Sequence, residues 1–199
     1  VFLTPHDELT VTRVVWENSE PFSARQNKNR PRPHPTSLSP KLARAMINLS
    51  GAQTSVLDPC CGSGGILLES ALMGLHTTGI DIDPAMIERA RENLASFGVS
   101  CELLRGDAVE TSCQADAIVC DLPYGRNSIA SDLEEFYAVF LKHATRLSSS
   151  LVVGMPSMVD HVRIISSSPW TVIHRFEVPL HKSLSKHIYI LHIDRKSVV

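Results

Sequence analysis

Apolar and polar positions change rhythm repeatedly along this chain. Short apolar runs alternate with longer stretches whose apolar residues return every three or four positions. The first rhythm suits buried strands and the second suits helices. From residue 55 the pattern predicts strand Ser55–Asp58, helix Gly65–Met73, strand Thr77–Asp81, helix Pro84–Phe97 and strand Cys101–Arg105. Strand Ala117–Cys120, helix Asp132–Leu147, strand Leu151–Gly154 and helix Ser157–Ser166 follow. Strands Thr171–Val178 and His187–Ile193 close the series with no helix between them. Such alternation predicts an α/β fold, a doubly wound and mostly parallel sheet with helices on both faces. The final pair predicts a C-terminal hairpin, so one strand should run antiparallel to the rest.

The first 38 residues read differently. Val11–Trp16 has strand character, and Ser23–Pro35 is rich in Arg, Asn and Pro. Proline and the residue before it resist helix, so this stretch is expected to be an extended basic arm. Residues 1–38 are therefore an N-terminal strand and linker, and 39–199 the main domain. Ser39 and Pro40 open the first helix, as cap and first-turn residue. Leu42, Ala45, Met46 and Leu49 give it an apolar face, and Gly51 ends it. Asp83, Pro84 and Gly98 punctuate a later helix in the same way.

Composition narrows the class. The 199 residues are 43% apolar and 20% charged, ordinary for a soluble globular protein. No apolar run approaches the roughly 20 residues that span a bilayer, so no membrane partner is expected. The chain begins with Val1 rather than Met, as expected of a piece of a longer protein. Five cysteines, odd in number and without C-x-x-C spacing, fit a reducing cytoplasm. They argue against a disulfide frame or a zinc ribbon, and no metal is expected. The net charge of −2 conceals a bias: no Asp or Glu lies between Glu20 and Asp58. Arg25, Lys28, Arg30 and Arg32 fall in that gap and are the candidates for the phosphates of a polyanion.

The chemistry gathers at the predicted strand ends, where ligands bind in open α/β sheets. After Asp58 comes Pro-Cys-Cys-Gly-Ser-Gly-Gly, a turn leading into a helix. Gly62, Gly64 and Gly65 let the backbone bend tightly and approach a ligand. The helix start then offers unsatisfied N–H groups. Cys60 packs its thiol beside this loop. Asp81, at the next strand end, can accept both hydroxyls of a ribose, and Ile82 can lie on an adenine face. Asp107 can accept from an adenine amino group while the Ala108 N–H donates to the ring. Together these residues specify an adenosine-containing ligand. No Lys-Ser/Thr follows the glycines, and they do not make G-x-G-x-x-G, so neither phosphate fingerprint is present. With Asp58 and Glu69 beside the loop and no basic residue local to it, an amino group and a sulfonium suit it better than a pyrophosphate.

Asp121, Leu122, Pro123 and Tyr124 end the strand expected beside the first. Asp121 and the Leu122 carbonyl can accept the two hydrogens of an exocyclic amine. Pro123 stiffens the turn, and Tyr124 offers a stacking face for a flipped base. Such an amine is a poor nucleophile, because its lone pair is delocalised into the ring. Two acceptors favour its pyramidal form and aim the lone pair at an electrophilic methyl.

Asp-Pro-Cys-Cys-Gly-Ser-Gly-Gly, Gly-Ile-Asp-Ile-Asp-Pro and Asp-Leu-Pro-Tyr-Gly together resemble the class I S-adenosylmethionine-dependent methyltransferases that act on exocyclic amines. The stretch from Arg30 to Ser50 is similar to the entry into the catalytic domain of THUMP-containing tRNA guanine-N2-methyltransferases, the archaeal type acting on guanosine 10. The likeness spans roughly Phe22 to Gly125. It implies a seven-stranded Rossmann-like sheet. It implies S-adenosylmethionine as cofactor, with His34, Pro35, Thr36 and Ser37 near its methionine end, and guanine held by Asp121 to Tyr124. Family members commonly carry a second proline where Leu122 stands. A THUMP domain has no counterpart in these residues; it is expected upstream, or its grip on tRNA falls to a partner subunit. The alternatives are an rRNA guanine-N2 or DNA adenine-N6 target, or a cofactor-binding scaffold without catalysis. An NAD-dependent oxidoreductase shares the fold, but the glycine spacing is wrong for it.

Overall fold

The computed structural model describes residues 2–3, 9–10, 19–124, 130–181 and 184–193. Strands β1 (Phe2–Leu3) and β2 (Leu9–Thr10) pair with each other in a small separate sheet. The strand expected at Val11–Trp16 lies outside the described residues.

The main sheet contains β3 (Ser55–Asp58), β4 (His76–Asp81), β5 (Glu102–Arg105), β6 (Ala117–Asp121), β7 (Ser150–Pro156), β8 (Thr171–His181) and β9 (Leu184–His192). Their order is β5-β4-β3-β6-β7-β9-β8. Every pair from β5 to β7 is parallel, and β9 runs antiparallel to both β7 and β8. The expected hairpin therefore places one reversed strand inside the edge of the sheet. The chain winds outward from β3 in one direction and from β6 in the other.

Helices α1 (Pro40–Ser50), α2 (Gly65–Leu72), α3 (Pro84–Ser96), α4 (Ala130–Ala144) and α5 (His161–Ser166) cover the sheet. Strand alternation sorts the core into two faces. Val56, Val119, Val152, Ile188 and Ile190 pack with Ala43, Met46 and Ile47 of α1 and Ile66 of α2. Leu57, Ile118, Leu151, Tyr189 and Leu191 face the other way, toward Tyr137, Phe140 and Leu141 of α4 and Ile164 and Ile165 of α5. Leu67, Leu68, Ile87 and Leu94 join α2 to α3. Among the described residues, no helix is long and apolar enough to cross a membrane.

The helix signals act as read. Ser39 accepts from the Leu42 N–H at 3.4 Å, Asp83 accepts from the Ala85 N–H at 2.8 Å, and Gly51 closes α1 at φ 71°. Two local expectations change. The buried stripe of α1 is Ala43, Met46, Ile47 and Ser50, while Leu49 is exposed. The expected face of Leu42, Ala45, Met46 and Leu49 has the same i, i+3, i+4, i+7 spacing one position earlier. The helix is thus turned by one residue, with Met46 common to both faces and Leu42 still partly buried. Helix α5 starts at His161 rather than Ser157, because Asp160 caps it by accepting from the Arg163 N–H at 3.1 Å.

Candidate active site

β3 and β6 are neighbours from which the chain winds away in opposite directions. The crevice beyond the carboxyl ends of such a pair is the ligand position in open sheets. Asp58 ends β3 and Asp121 ends β6.

The loop after Asp58 needs its glycines. Gly62 and Gly64 sit at φ 51° and 83°, where other residues are strained. A Cβ on Gly64 would also lie 3.2 Å from that of Ala90, so the loop can rest against α3. The Cys61 N–H donates to the Ile80 carbonyl at 2.8 Å, and the Gly62 N–H donates to Asp81 Oδ2 at 2.8 Å. Asp81 Oδ1 accepts from the Asp83 N–H at 2.9 Å. Asp81 thus anchors the glycine loop as well as facing the crevice.

Two adjoining cavities occupy the crevice and share several walls. One, of about 290 Å³, is lined by His34, Thr36 and Ser37, by Asp58, Cys60 and Gly62, and by Asp121, Leu122, Pro123 and Tyr124. The other, of about 480 Å³, is lined by Asp81, Ile82, Asp107 and Ala108, again with His34, Thr36, Cys60, Gly62, Asp121 and Pro123. Motifs separated by more than 80 positions therefore converge on one place. Pro35 and Gly64 do not line either cavity: Pro35 is exposed, and Gly64 is the N-cap residue of α2.

The segment before α1 corrects the expected extended arm. It is a folded wall with a short 3-10 turn at Asn27–Asn29. Asn27 donates to the His34 carbonyl at 2.8 Å and accepts from the His34 N–H at 2.9 Å. Asn93, buried on α3, accepts from the Arg32 N–H and donates to the carbonyls of Arg32 and Ser63. This wall overturns half of the expected phosphate set. Arg25 and Arg30 are only 4% and 3% exposed. Arg25 is spent on Glu69, and Arg30 donates to Ser37 Oγ at 2.8 Å and to the Arg25 carbonyl at 3.1 Å. Lys28 and Arg32 stay exposed, and Arg32 lies 2.9 Å from Glu92. The glycine loop also has a cation nearby after all, since a Cβ on Gly65 would sit 3.4 Å from Arg30 Nη1.

Burial sets the electrostatics. It pushes the Asp58 carboxyl well above its usual range, and Asp81 and Asp121 add to the effect. It raises Asp121 too, against the opposing pull of Lys186. The Cys60 thiol is pushed up and stays neutral. Among the described residues, no group of His, Cys, Asp and Glu could hold a metal ion.

The sequence reading missed several site residues. Lys186 Nζ lies 2.6 Å from Asp121 Oδ2. The Tyr137 hydroxyl donates to the Pro123 carbonyl at 2.7 Å, tying α4 to the turn. Met86, Leu133 and Phe136 line the larger cavity. The last three sit on helical apolar stripes and are indistinguishable there from core residues. Lys186 left a signal, since it shares strand parity with the buried Ile188 and Ile190.

Residues 27–186 match the family described as UPF0020: RMKL-like, methyltransferase domain. The chain belongs to this family. Among curated proteins, it is 37% identical over 94% of its length to the tRNA (guanine(10)-N2)-dimethyltransferase of Methanothermobacter thermautotrophicus. It is 36% identical over 90% of its length to the enzyme of the same name from Pyrococcus abyssi. The chain spans 58% and 57% of the lengths of these two relatives. The crystal structure of TrmN from Thermus thermophilus shares the fold, with a TM-score of 0.69 at 24% identity, covering 80% of this chain and 50% of that one.

Proposed function

We propose that this chain transfers a methyl group from S-adenosylmethionine to the exocyclic N2 of a guanosine in tRNA. One observation carries the reading: Asp58 with its glycine loop and Asp121 with its turn line a single cavity of about 290 Å³. The relatives named as tRNA (guanine(10)-N2)-dimethyltransferases support the choice of nucleobase and RNA.

The cavity walls fit the cofactor. Asp58 is 1% exposed, and among the described residues it accepts from the Cys60 N–H without a cationic side chain beside it. A buried carboxylate of this kind suits an ammonium group. Asp81 offers its remaining lone pairs to ribose hydroxyls. Ile82, 66% exposed on the wall of the larger cavity, offers an apolar face to adenine, beside Asp107 and Ala108. Ser37 and Thr36 stand at the methionine end. When bound, S-adenosylmethionine supplies a methyl group on a sulfonium.

Asp121 accepts one hydrogen of the guanine amine, and the Leu122 carbonyl accepts the other. Tyr124 stacks on the base, and Pro123, tethered by Tyr137, keeps the turn in place. With S-adenosylmethionine bound, the guanine nitrogen would take the methyl group as the sulfonium became a thioether, and would then shed one proton to water. Positioning of two reactants in one crevice supplies most of the acceleration. An upstream THUMP domain or a partner subunit would share the grip on tRNA.

Calorimetry decides the cofactor: binding of S-adenosylmethionine with no binding of NAD is expected, and the reverse would sink the reading. Nucleoside mass spectrometry of methylated transcripts decides the atom and site. Loss of N2-methylguanosine when guanosine 10 is replaced is expected; undiminished product, or N6-methyladenosine, would move the target.

A further inference from the structure

Asp121 is part of a three-strand arrangement. It ends β6, in register with Gly154 on β7. A Cβ at Gly154 would lie 2.5 Å from Asp121 Oδ1 and 3.3 Å from Lys186 Cδ. Beyond β7, Lys186 on β9 pairs with Pro156 and reaches across the bare backbone of Gly154. Its ammonium lies 2.6 Å from Asp121 Oδ2 and 5.2 Å from the centre of the Tyr124 ring. The Lys186 side chain is 3% exposed and that of Asp121 15%. Asp121 Oδ1 accepts from the Tyr124 hydroxyl at 3.3 Å, a long bond that an incoming donor can replace.

An ammonium in this place is costly. Ile188 and Ile190 continue the same stripe, and an apolar residue at 186 would avoid the desolvation. We propose that Lys186 is a positioning residue for methyl transfer, holding Oδ2 of Asp121 so that Oδ1 is the oxygen presented to the substrate amine. Its charge also opposes the rise that burial gives the Asp121 carboxyl within a site crowded by acids. The titratable groups coupled to Asp121 are Asp58 on β3, Cys60 in the loop, Cys120 on β6, Tyr124, Tyr137 on α4 and Lys186. Lys186 is the cation of that group. Burial and Asp121 push the Tyr124 and Tyr137 hydroxyls up, and burial pushes up the Cys120 thiol. None of these supplies a compensating positive charge. A protonated Asp121 would meet the amine with a donor where an acceptor is needed.

This inference rests on the methyl-transfer reading, and its test has an arm that does not. Lys186→Met and Lys186→Arg are compared with the unaltered chain by carbon-detected NMR titration of the Asp121 carboxyl. Removing an adjacent cation should raise that pKa by about 1–3 units in the Met variant. An unchanged titration would overturn the proposal, as would an Arg variant shifted as far as the Met one. In the rate arm, the acid limb of kcat for Lys186→Met moves up by the same amount and activity recovers only in part at high pH, because Oδ2 has lost its anchor, with KM for S-adenosylmethionine little changed. An equal loss at every pH would instead assign Lys186 a purely structural part and overturn the proposal. In an Asp121→Asn background, Lys186→Met should cost little further. An undiminished cost there also overturns it. If the unaltered chain methylates no guanosine, the methyl-transfer reading falls while the carboxyl titration still decides the coupling.

Discussion

Arg25 donates from Nε to Oε1 of Glu69 at 2.7 Å, joining the wall ahead of α1 to the middle of α2. Glu69 is fully buried, and Arg44 approaches its other oxygen at 2.9 Å. Glu20 lies 3.0 Å from Arg25 Nη2, so two guanidinium groups balance two carboxylates. Breaking a buried pair costs more than the pair is worth, because a charge is left without its partner. Arg25→Ala should therefore cost about 3 kcal/mol, read from the midpoint of urea unfolding. A loss under about 0.5 kcal/mol, the size of a surface substitution, would show that Arg44 alone satisfies Glu69.

The same burial redirects the RNA experiment. Lys28 and Arg32 remain on the surface, whereas Arg30 is enclosed. Replacing Lys28 and Arg32 with Ala should weaken tRNA binding at all sequences alike. Each should lower the slope of log affinity against log salt by about one. Arg32 is also 2.9 Å from Glu92, so Glu92→Gln should free it and strengthen binding modestly at low salt. Slopes that stay at the unaltered value in both Ala variants would remove this wall from the RNA interface.

Gly154 provides a test of geometry separate from charge. A methyl group there would meet Asp121 Oδ1 at 2.5 Å, so the carboxylate must move. Gly154 has ordinary strand conformation and pairs with Asp121 on one side and Ile188 on the other. Gly154→Ala should therefore fold, bind S-adenosylmethionine with little change and lose on the order of 100-fold in kcat, the usual effect of an ångström of misplacement. A variant with full turnover would show that the position of Asp121 is not limiting.

The parts of this molecule visible in its sequence are those governed by local rules. The strands, their helices and the closing hairpin follow from period, caps and glycine stops, as at Ser39, Asp83 and Gly51. Asp58, Asp81 and Asp121 were legible because each ends a strand, and Asp107 because it follows one by two positions, and the sheet gathers strand ends. What stayed hidden depends on distant packing. Arg25 looks like any exposed basic residue until Glu69, 44 positions away, is placed beside it. Lys186 and Asp121 are 65 positions apart and meet only because β9 folds back beside β7. The apolar face of α1 was read as Leu42, Ala45, Met46 and Leu49. Met46 is in the core as read, but the helix is turned so that Ala43 and Ile47 join it and Leu49 is exposed, because it packs against both the sheet and α2.

A buried row of Tyr189, His161 and His187 joins β9 to α5 and should steepen the loss of stability in acid. The Tyr189 hydroxyl lies 2.7 Å from His161 Nδ1, and His161 Nε2 lies 2.6 Å from His187 Nδ1. His187 Nε2 is 3.9 Å from Glu177. One set of tautomers satisfies the row, with Tyr189 donating to His161, His161 donating to His187, and the last N–H facing Glu177. Both imidazoles are neutral in it. Burial, the neighbouring His187 and Arg175 bring His161 down to about 4, outweighing the pull of Asp160. Burial and Arg175 lower His187 as well, against Glu177. In the unfolded chain an imidazole takes its proton near its ordinary value of about 6.5. Between roughly pH 6.5 and 4 the unfolded chain thus binds a proton that the folded chain refuses, so stability falls as pH falls through that window. Above it the contribution is complete. His161→Gln keeps a donor and an acceptor but does not titrate. Urea midpoints at pH 7, 6 and 5 should therefore fall less steeply for this variant than for the unaltered chain. Parallel slopes would mean that carboxylates elsewhere, and not this row, govern the acid limb.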